Sequence, residues 1–447
     1  MDHPGVANPP NVPTSLSSQH LSPTRQSEGI YRVIHILCSR MSTRRSSGSV
    51  MRYLFTTLPG ISHLLPLIPF ARAAAAAGHE VRIACAGTAL PAAVAAGFPA
   101  IAIDDESTKP YEEIVRRISE TEMTRELPPA ELHAQFAAAF GATGNLMIDG
   151  LVAGIREWYA DAVVYTPMAV AGLVAARATG ATAIMHGLGT RWPTYGPALA
   201  HLRDVSRELG VEHCDEADIE IDVSPPSLER IHSRTTPAPT ETFAEVVHPM
   251  RYLPYNGGGE LPGWVRESPS RPRIVATLGS MSASYGDGTL LRHIIEASAD
   301  LDVELVLMTG GNAPPDPLPD HVRSVPWVPL RAAMDNCSAV VHHGGSGTTY
   351  AALDAGVPQL AIPDRGTDSD TTASVIAARG AGLRLDPDKV TAATVAQLLG
   401  ELLDPDGCRI ACAEVARELH DMPAPSTVLD RVTATVRANR ATTRTGA

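Results

Sequence analysis

An α/β protein built of two doubly wound, Rossmann-like domains facing each other across a cleft is what three features of this sequence predict. From Met51 onward, short apolar runs alternate with Gly/Pro/polar breaks and Ala-rich helical stretches, the signature of a parallel sheet with helices on both faces. At mid-chain a segment dense in Gly and Pro, "RYLPYNGGGELPGWVRESPSRPR", interrupts that rhythm as an interdomain linker would. The alternation then restarts. A length of 447 residues suits two or three domains.

The elements follow in order. Residues 1–50 are rich in Pro, Ser and Arg and read as a disordered extension, either a regulatory appendage or, the favoured alternative, a gene start placed upstream of Met41 or Met51. They contain no long apolar stretch of the kind a secretory signal needs. Residues 51–250 form the expected acceptor-binding domain. In it "RYLFTT" reads as a buried strand, "LLPLIPFARAAAAAGHE" as a helix and "VRIACA" as the next strand, followed later by "DAVVYTP", the helix "MAVAGLVAARATG" and the strand "ATAIMHG". Residues 104–151 and 208–251 look polar and irregular. Residues 251–272 are the linker, and 273–447 the expected nucleotide-binding domain, with strands at "IVATLGS", "VELVLMTGG", "SAVV" and "QLAI" and a last helix that could cross back to the first domain. Ligands of such sheets bind at the carboxyl ends of the strands.

Composition narrows the partners. With 36 Lys plus Arg against 49 Asp plus Glu, the net charge of −13 argues against nucleic acid or an anionic membrane, so any phosphate must be held by a local device. Apolar runs are broken by Pro and Gly before the ~18 residues of a membrane span, which predicts a soluble, cytoplasmic protein. Six scattered cysteines predict buried reduced thiols, and the pair Cys408 and Cys412 lacks the second ligand pair of a zinc site. No metal or bound cofactor is expected.

The richest local signal is "VVHHGGSGTT", residues 340–349. A strand, a glycine loop and a helix start bring outward-pointing backbone N–H groups together, and His343, Ser346, Thr348 and Thr349 add side-chain donors. The loop lacks the Lys of a Walker loop and the spacing of the dinucleotide fingerprint. Alone it serves as a bare turn slightly more often than as an anion site. Its surroundings shift the balance: "LGSM" puts Gly279 and Ser280 at another strand end, and "VPWVPL" offers Trp327 either to a nucleobase or to the core. "PDRGTDSD" places Asp364, Asp368, Ser369 and Asp370 where carboxylates grip sugar hydroxyls or cap a helix. In the first domain, His63 lies in the loop after the first strand. It is an ordinary polar residue or, facing that site across a cleft, a base for an acceptor hydroxyl.

Together "SHLLPLIPFARAAAAAGHEV", "MRYLPYNGGGELPGW", "PRIVATLGSM", "VPWVPLRAAMDNCSAVVHHGGSGTTYAALDAGVPQLAIP" and "GAGLRL" resemble the GT-B glycosyltransferases of actinobacterial secondary metabolism, over residues 51–437. That resemblance implies an inverting, metal-independent transfer of a deoxysugar from a nucleoside-diphosphate donor, most often dTDP, to a hydroxyl of a polyketide or macrolide. It implies His63, in its frame with Pro66, as the general base. Ser280, His343, Gly345, Ser346, Gly347 and Thr348 would form the diphosphate clamp, Trp327 and Val328 the nucleobase site, and Asp368 and Ser369 the sugar site. His342 would support the loop from behind. The acceptor would bind along 104–151 and 192–249, where the helical segment "PPAELHAQFAAAF" either lines an apolar groove or packs the core. A homodimer and an activator protein are both compatible with the resemblance.

Two positions depart from the family pattern. Many members carry an Asp after the fourth strand that pairs with the catalytic His, and Thr166 stands there. Either His63 works without a carboxylate, or Glu113 or Glu120 replaces it, or the mechanism differs. The sugar motif reads "GTDSD" where an Asp-Gln pair is usual, so Thr367 and Asp370 compete with Asp368. C-glycosyl transfer, epimerisation of the donor, and an auxiliary homologue without catalysis remain the alternatives.

Overall fold

The structure, a computed structural model, describes residues 50–103, 105–119, 127–235, 244–277, 279, 288–310 and 317–445. The expected N-terminal extension, Ser280 and Glu120 lie outside the described residues. Two parallel sheets carry the fold. The first has seven strands, β1 (Arg52–Thr56), β2 (Glu80–Cys85), β3 (Ala100–Ala102), β4 (Ala162–Tyr165), β5 (Thr182–His186), β6 (Ala217–Asp222) and β7 (Ala244–Pro249), in the order β3-β2-β1-β4-β5-β6-β7. The second has six, β8 (Arg273–Thr277), β9 (Glu304–Met308), β10 (Val322–Val325), β11 (Ala339–His342), β12 (Gln359–Ala361) and β13 (Gly382–Arg384), in the order β10-β9-β8-β11-β12-β13. Strand order reverses between β1 and β4 in one sheet and between β8 and β11 in the other. Those switch points are where open α/β sheets bind ligands, and His63 follows β1 while His343 follows β11.

The central strands are continuous apolar runs because both faces are covered. Tyr53, Leu54 and Phe55 of β1 and all four residues of β4 are fully buried. On one face of the first sheet lies the helix Ile68–Ala76, and on the other the 30-residue helix Pro129–Trp158. That second helix corrects the expectation of irregular structure over 104–151. Its Ala- and Gly-rich sequence is a weak amphipathic signal, and tertiary packing decides the outcome. It is also long and apolar enough to cross a membrane, against the expectation that no such segment exists; here its apolar positions, Phe136, Met147 and Leu151 among them, are buried against the sheet.

The stretch 208–251 holds β6, the helix Pro226–Thr235 and β7, again more regular than expected. Its strands are hard to see because β6 carries Glu220, fully buried and paired with Arg191 at 2.7 Å, and β7 is a half-exposed edge. Within the expected linker, Trp264 and Val265 are packed into the core of the second sheet, so only its first part is a connection. The last helix, Pro425–Thr445, returns to the first domain. Thr433 meets the Tyr53 hydroxyl at 2.8 Å, Arg440 pairs with Asp161 at 2.8 Å, and Val428, Val432 and Val436 share one core with β1 and Phe70. A second seam joins the halves where Tyr350 packs on Tyr252 with ring centroids 4.8 Å apart and its hydroxyl donates to Ser224 at 3.4 Å.

Candidate active site in the interdomain cleft

The C-terminal wall is built on the loop between β11 and the helix Ser346–Ala355. Thr348 and Thr349 both donate their N–H groups to the Gly345 carbonyl, at 3.1 and 3.0 Å, leaving the first amides of the helix to point out of its end. His342 holds this loop from within the core: its Nε2–H donates to Gln359 Oε1 at 2.9 Å and its Nδ1 accepts from the Gly344 N–H at 3.0 Å. His343 turns the other way. Its imidazole lies between Gly279 and Gly345, and a Cβ at either glycine would collide with the ring. Glycine is needed there for the close approach, and the result is a fixed imidazole beside a helix N-terminus. Burial pushes the His343 pKa down to about 4, so the ring is neutral at pH 7 until an anion arrives. Neutral imidazole and aligned amides make an anion cradle.

Beside it, Val328 is buried and Trp327 is 44% exposed over the cleft, and a Cβ at Gly257 would meet its indole at 3.7 Å. The helix Asp368–Arg379 gives the competing side chains different partners. Thr367 caps it, accepting from the Asp370 N–H at 3.3 Å, and Asp370 is spent on Arg384 at 2.6 Å and on the Gly366 N–H at 2.9 Å. Asp368 and Ser369 line the cleft, and burial raises the Asp368 pKa.

The N-terminal wall is different in kind. His63 sits in a short helical turn, Ile61–Leu64, that opens after Gly60. Tyr111, from the helix Thr108–Ser119, packs its ring edge-on to His63 with centroids 5.7 Å apart and hydrogen-bonds Ser62. A Cβ at Gly60 would overlap the Tyr111 hydroxyl, so this packing too requires glycine. Burial pushes the His63 pKa down to about 4, with no carboxylate among the described residues raising it. Its Nδ1 is buried and without a hydrogen-bond partner among the described residues. Glu113 does not supply one: it is exposed and held by Arg116 at 2.7 Å on its own helix, because an i,i+3 cation is nearer than the cleft.

One cleft brings these groups together. His63, Trp327, Val328, His343, Gly345, Ser346, Gly347, Thr348, Asp368 and Ser369 all line it, in about 1620 Å³ of space partly open to solvent. The far end of the cleft is lined from the two stretches, 104–151 and 192–249, where the acceptor was expected. Tyr111, Phe136, Phe140 and Trp192 line it, with Trp192 packed T-shaped on Phe136 at 4.9 Å and on His133 at 5.3 Å. His133 in turn donates to the Gly366 carbonyl at 3.1 Å, tying this wall to the turn before Asp368. "PPAELHAQFAAAF" therefore does both things expected of it, since Phe136 and Phe140 are core residues whose edges face the cleft. The only signal for Trp192 was an aromatic in a loop after a strand. Among the described residues no group of His, Cys, Asp or Glu is arranged to hold a metal.

Comparison with known proteins agrees with this geometry. The Erythromycin biosynthesis protein CIII-like N-terminal domain family matches residues 72–279, and its C-terminal domain family residues 292–435. The aclacinomycin-T 2-deoxy-L-fucose transferase of Streptomyces galilaeus is 32% identical over 443 residues, covering 87% of this chain and 98% of the relative. The crystal structure of the glycosyltransferase SnogD from Streptomyces nogalater superposes with a TM-score of 0.74 at 33% identity, over 87% of this chain and all of that one. Glycosyltransferase VinC in complex with dTDP follows at a TM-score of 0.70 and 26% identity, covering 87% and 100%. Sheet order, cleft and relatives lead to one conclusion: this chain is a GT-B glycosyltransferase of natural-product biosynthesis and belongs to the Erythromycin biosynthesis protein CIII-like family.

Proposed function

We propose that the enzyme transfers a deoxysugar from a dTDP-sugar to a hydroxyl of a polyketide-type aglycone, inverting the anomeric centre and using no metal. The observation that carries this is the opposition of the two walls: an imidazole with no carboxylate beside it among the described residues on one side, and an anion cradle with a half-exposed indole on the other. The diphosphate lies against the amides of the helix Ser346–Ala355 and His343, the base stacks on Trp327, and Asp368 and Ser369 take sugar hydroxyls. His63 Nε2 removes the acceptor proton as the oxygen attacks the anomeric carbon. The bond from that carbon to the diphosphate oxygen breaks, and the helix start meets the charge growing on the leaving group. The dTDP bound to VinC and the 2-deoxy-L-fucose in the name of the Streptomyces galilaeus relative support the choice of donor. Five described cysteines are unpaired thiols, as the cytoplasm allows, and we place the reaction there.

Incubation with a dTDP-deoxysugar and an aromatic or macrolide aglycone tests this reading. The expected product is an acid-labile O-glycoside whose anomeric configuration is opposite to that of the donor by NMR. An acid-resistant product would make the enzyme a C-glycosyltransferase, and a sugar altered in the absence of acceptor would make it an epimerase. Retention of configuration would sink the in-line mechanism.

A further inference from the structure

The carboxyl ends of β1, β4 and β5, on the sheet face covered by the segment that carries His63, hold buried polar atoms with no hydrogen-bond partner among the described residues. β1, β4 and β5 are adjacent and in register, with Thr56 beside Tyr165 and Tyr165 beside Met185. One residue further, Thr57, Thr166 and His186 stand side by side at the carboxyl ends of three neighbouring strands, at the ~4.8 Å spacing of a sheet. Alternation along the strands gives them the face of Phe55, Val164 and Ile184. That face is covered by the segment that carries His63, since Leu64, Ile68 and Phe70 share its core cluster. Phe70 and His186 have ring centroids 6.1 Å apart. Thr57, Thr166 and His186 are at most 1% exposed. Among the described residues Thr57 Oγ1, Thr166 Oγ1, His186 Nε2 and His63 Nδ1 all lack a hydrogen bond.

The chemistry of the row has a direction. His186 Nδ1 lies 2.8 Å from the Gly187 carbonyl, which can only accept, so Nδ1 carries the proton and Nε2 is an acceptor. His63, acting through Nε2, needs its proton on Nδ1 and is a donor there. Two hydroxyls that both donate and accept complete the row. Buried polar atoms in native proteins find partners, and a polar recess of this kind takes water.

We propose that Thr57, Thr166 and His186 form a hydrated recess that positions His63 through a neutral hydrogen-bonded chain, from His63 Nδ1–H by way of water and the threonine hydroxyls to His186 Nε2. The proposal rests on His63 being the base, and it gives the Thr166 hydroxyl a part in holding that ring. Thr57, Thr166 and His186 are positioning residues and touch no substrate. During transfer the acceptor proton goes to His63 Nε2 and the Nδ1 proton stays in place, so the chain orients the ring without adding charge. The titratable groups on the other sides of His63 are Tyr111, packed against it, and His343 and Asp368 across the cleft.

Three variants of the full chain test the recess. Thr166→Val, nearly isosteric, removes one hydroxyl and is expected to lower kcat roughly 10-fold, a part of the ~10²–10⁴ that a general base supplies, with the donor KM unchanged. Imidazole ¹⁵N shifts in histidine-labelled protein should then show His63 losing its Nδ1–H tautomer. Thr166→Ser should restore both. Thr166→Asp should keep turnover and move the acidic limb of the kcat/KM profile upward by about one pH unit or more, as a carboxylate stabilises imidazolium. A high-resolution crystal structure should show ordered water within hydrogen-bond distance of Thr166 Oγ1. A dry recess, or a folded Thr166→Val with wild-type kcat and an unchanged His63 tautomer, overturns the proposal. If His63→Ala keeps full activity, the base assignment fails instead, while the water and the tautomer still decide the recess.

Discussion

The two walls of the cleft hold their histidines in opposite ways. On the C-terminal wall His343 is pinned between Gly279 and Gly345, and its neighbour His342 is tied through both ring nitrogens to Gln359 and Gly344. On the N-terminal wall His63 packs against Tyr111, and its buried Nδ1 has no hydrogen-bond partner among the described residues. The glycine loop and the helix start stand in the first wall, and aliphatic and aromatic side chains make most of the second. The difference fits the ligands. A diphosphate has the same shape whatever sugar follows it, so fixed donors suit it, whereas an apolar acceptor is recognised by shape and surface.

That contrast predicts separable phenotypes. The largest is expected from His63→Ala, which should lower turnover by roughly 10²–10⁴-fold in a product assay, because it removes the proton acceptor. Gly345→Ala comes next. Its Cβ would push into the His343 ring, and the expected result is a donor KM raised about 10-fold or more with a parallel fall in kcat, as two donors to the diphosphate are displaced. An unchanged donor KM would mean that the cradle is not the diphosphate site. Trp192→Phe should do the reverse, raising the acceptor KM several-fold for about 1 kcal/mol of lost aromatic contact while the donor KM stays put.

The smallest effect is on stability. His63, His186, His342 and His343 are all pushed down by burial to about 4, against 6.5 when unfolded. Between those values the unfolded chain binds more protons, so stability is full above pH 6.5 and falls as the pH drops toward 4. Asp222 opposes this, since burial raises it to about 6 and its share is lost as pH rises from 3.8 to 6. Asp368, also raised by burial, opposes it too, and four imidazoles outweigh two carboxyls. Tm should fall by several degrees between pH 7 and pH 5, and a flat profile would show that these rings are not buried as described.

The same contrast governs what the sequence made legible. The second sheet and its site could be read because strand, glycine loop and helix are contiguous: "SAVV", "HHGGSG" and "TTYAALDAG" carry their own punctuation, down to Gly356 as the left-handed cap. The ion pair that occupies Asp370 could not be read, because its partner Arg384 lies on the next strand, β13. On the acceptor side Tyr111, Phe136 and Trp192 come from three separate segments and meet only through the long helix Pro129–Trp158 and the loop after β5. No local spacing announces such a cluster. β6 escaped notice because its Glu220 is neutralised by Arg191, a partner outside the strand. Thr166 stood out only as a departure, and its unpartnered neighbours Thr57 and His186 became visible once the register of three strands was known.

The division of labour between the walls is tested most directly by calorimetric titration of dTDP into wild-type protein, His63→Ala and His343→Ala. The expected dissociation constant for His63→Ala lies within about twofold of wild type, and that for His343→Ala is weaker by about 10-fold, the loss of one hydrogen bond to a charged group. Equal weakening in both variants, or in neither, would contradict the assignment of the diphosphate to the C-terminal wall and of the acceptor proton to the other.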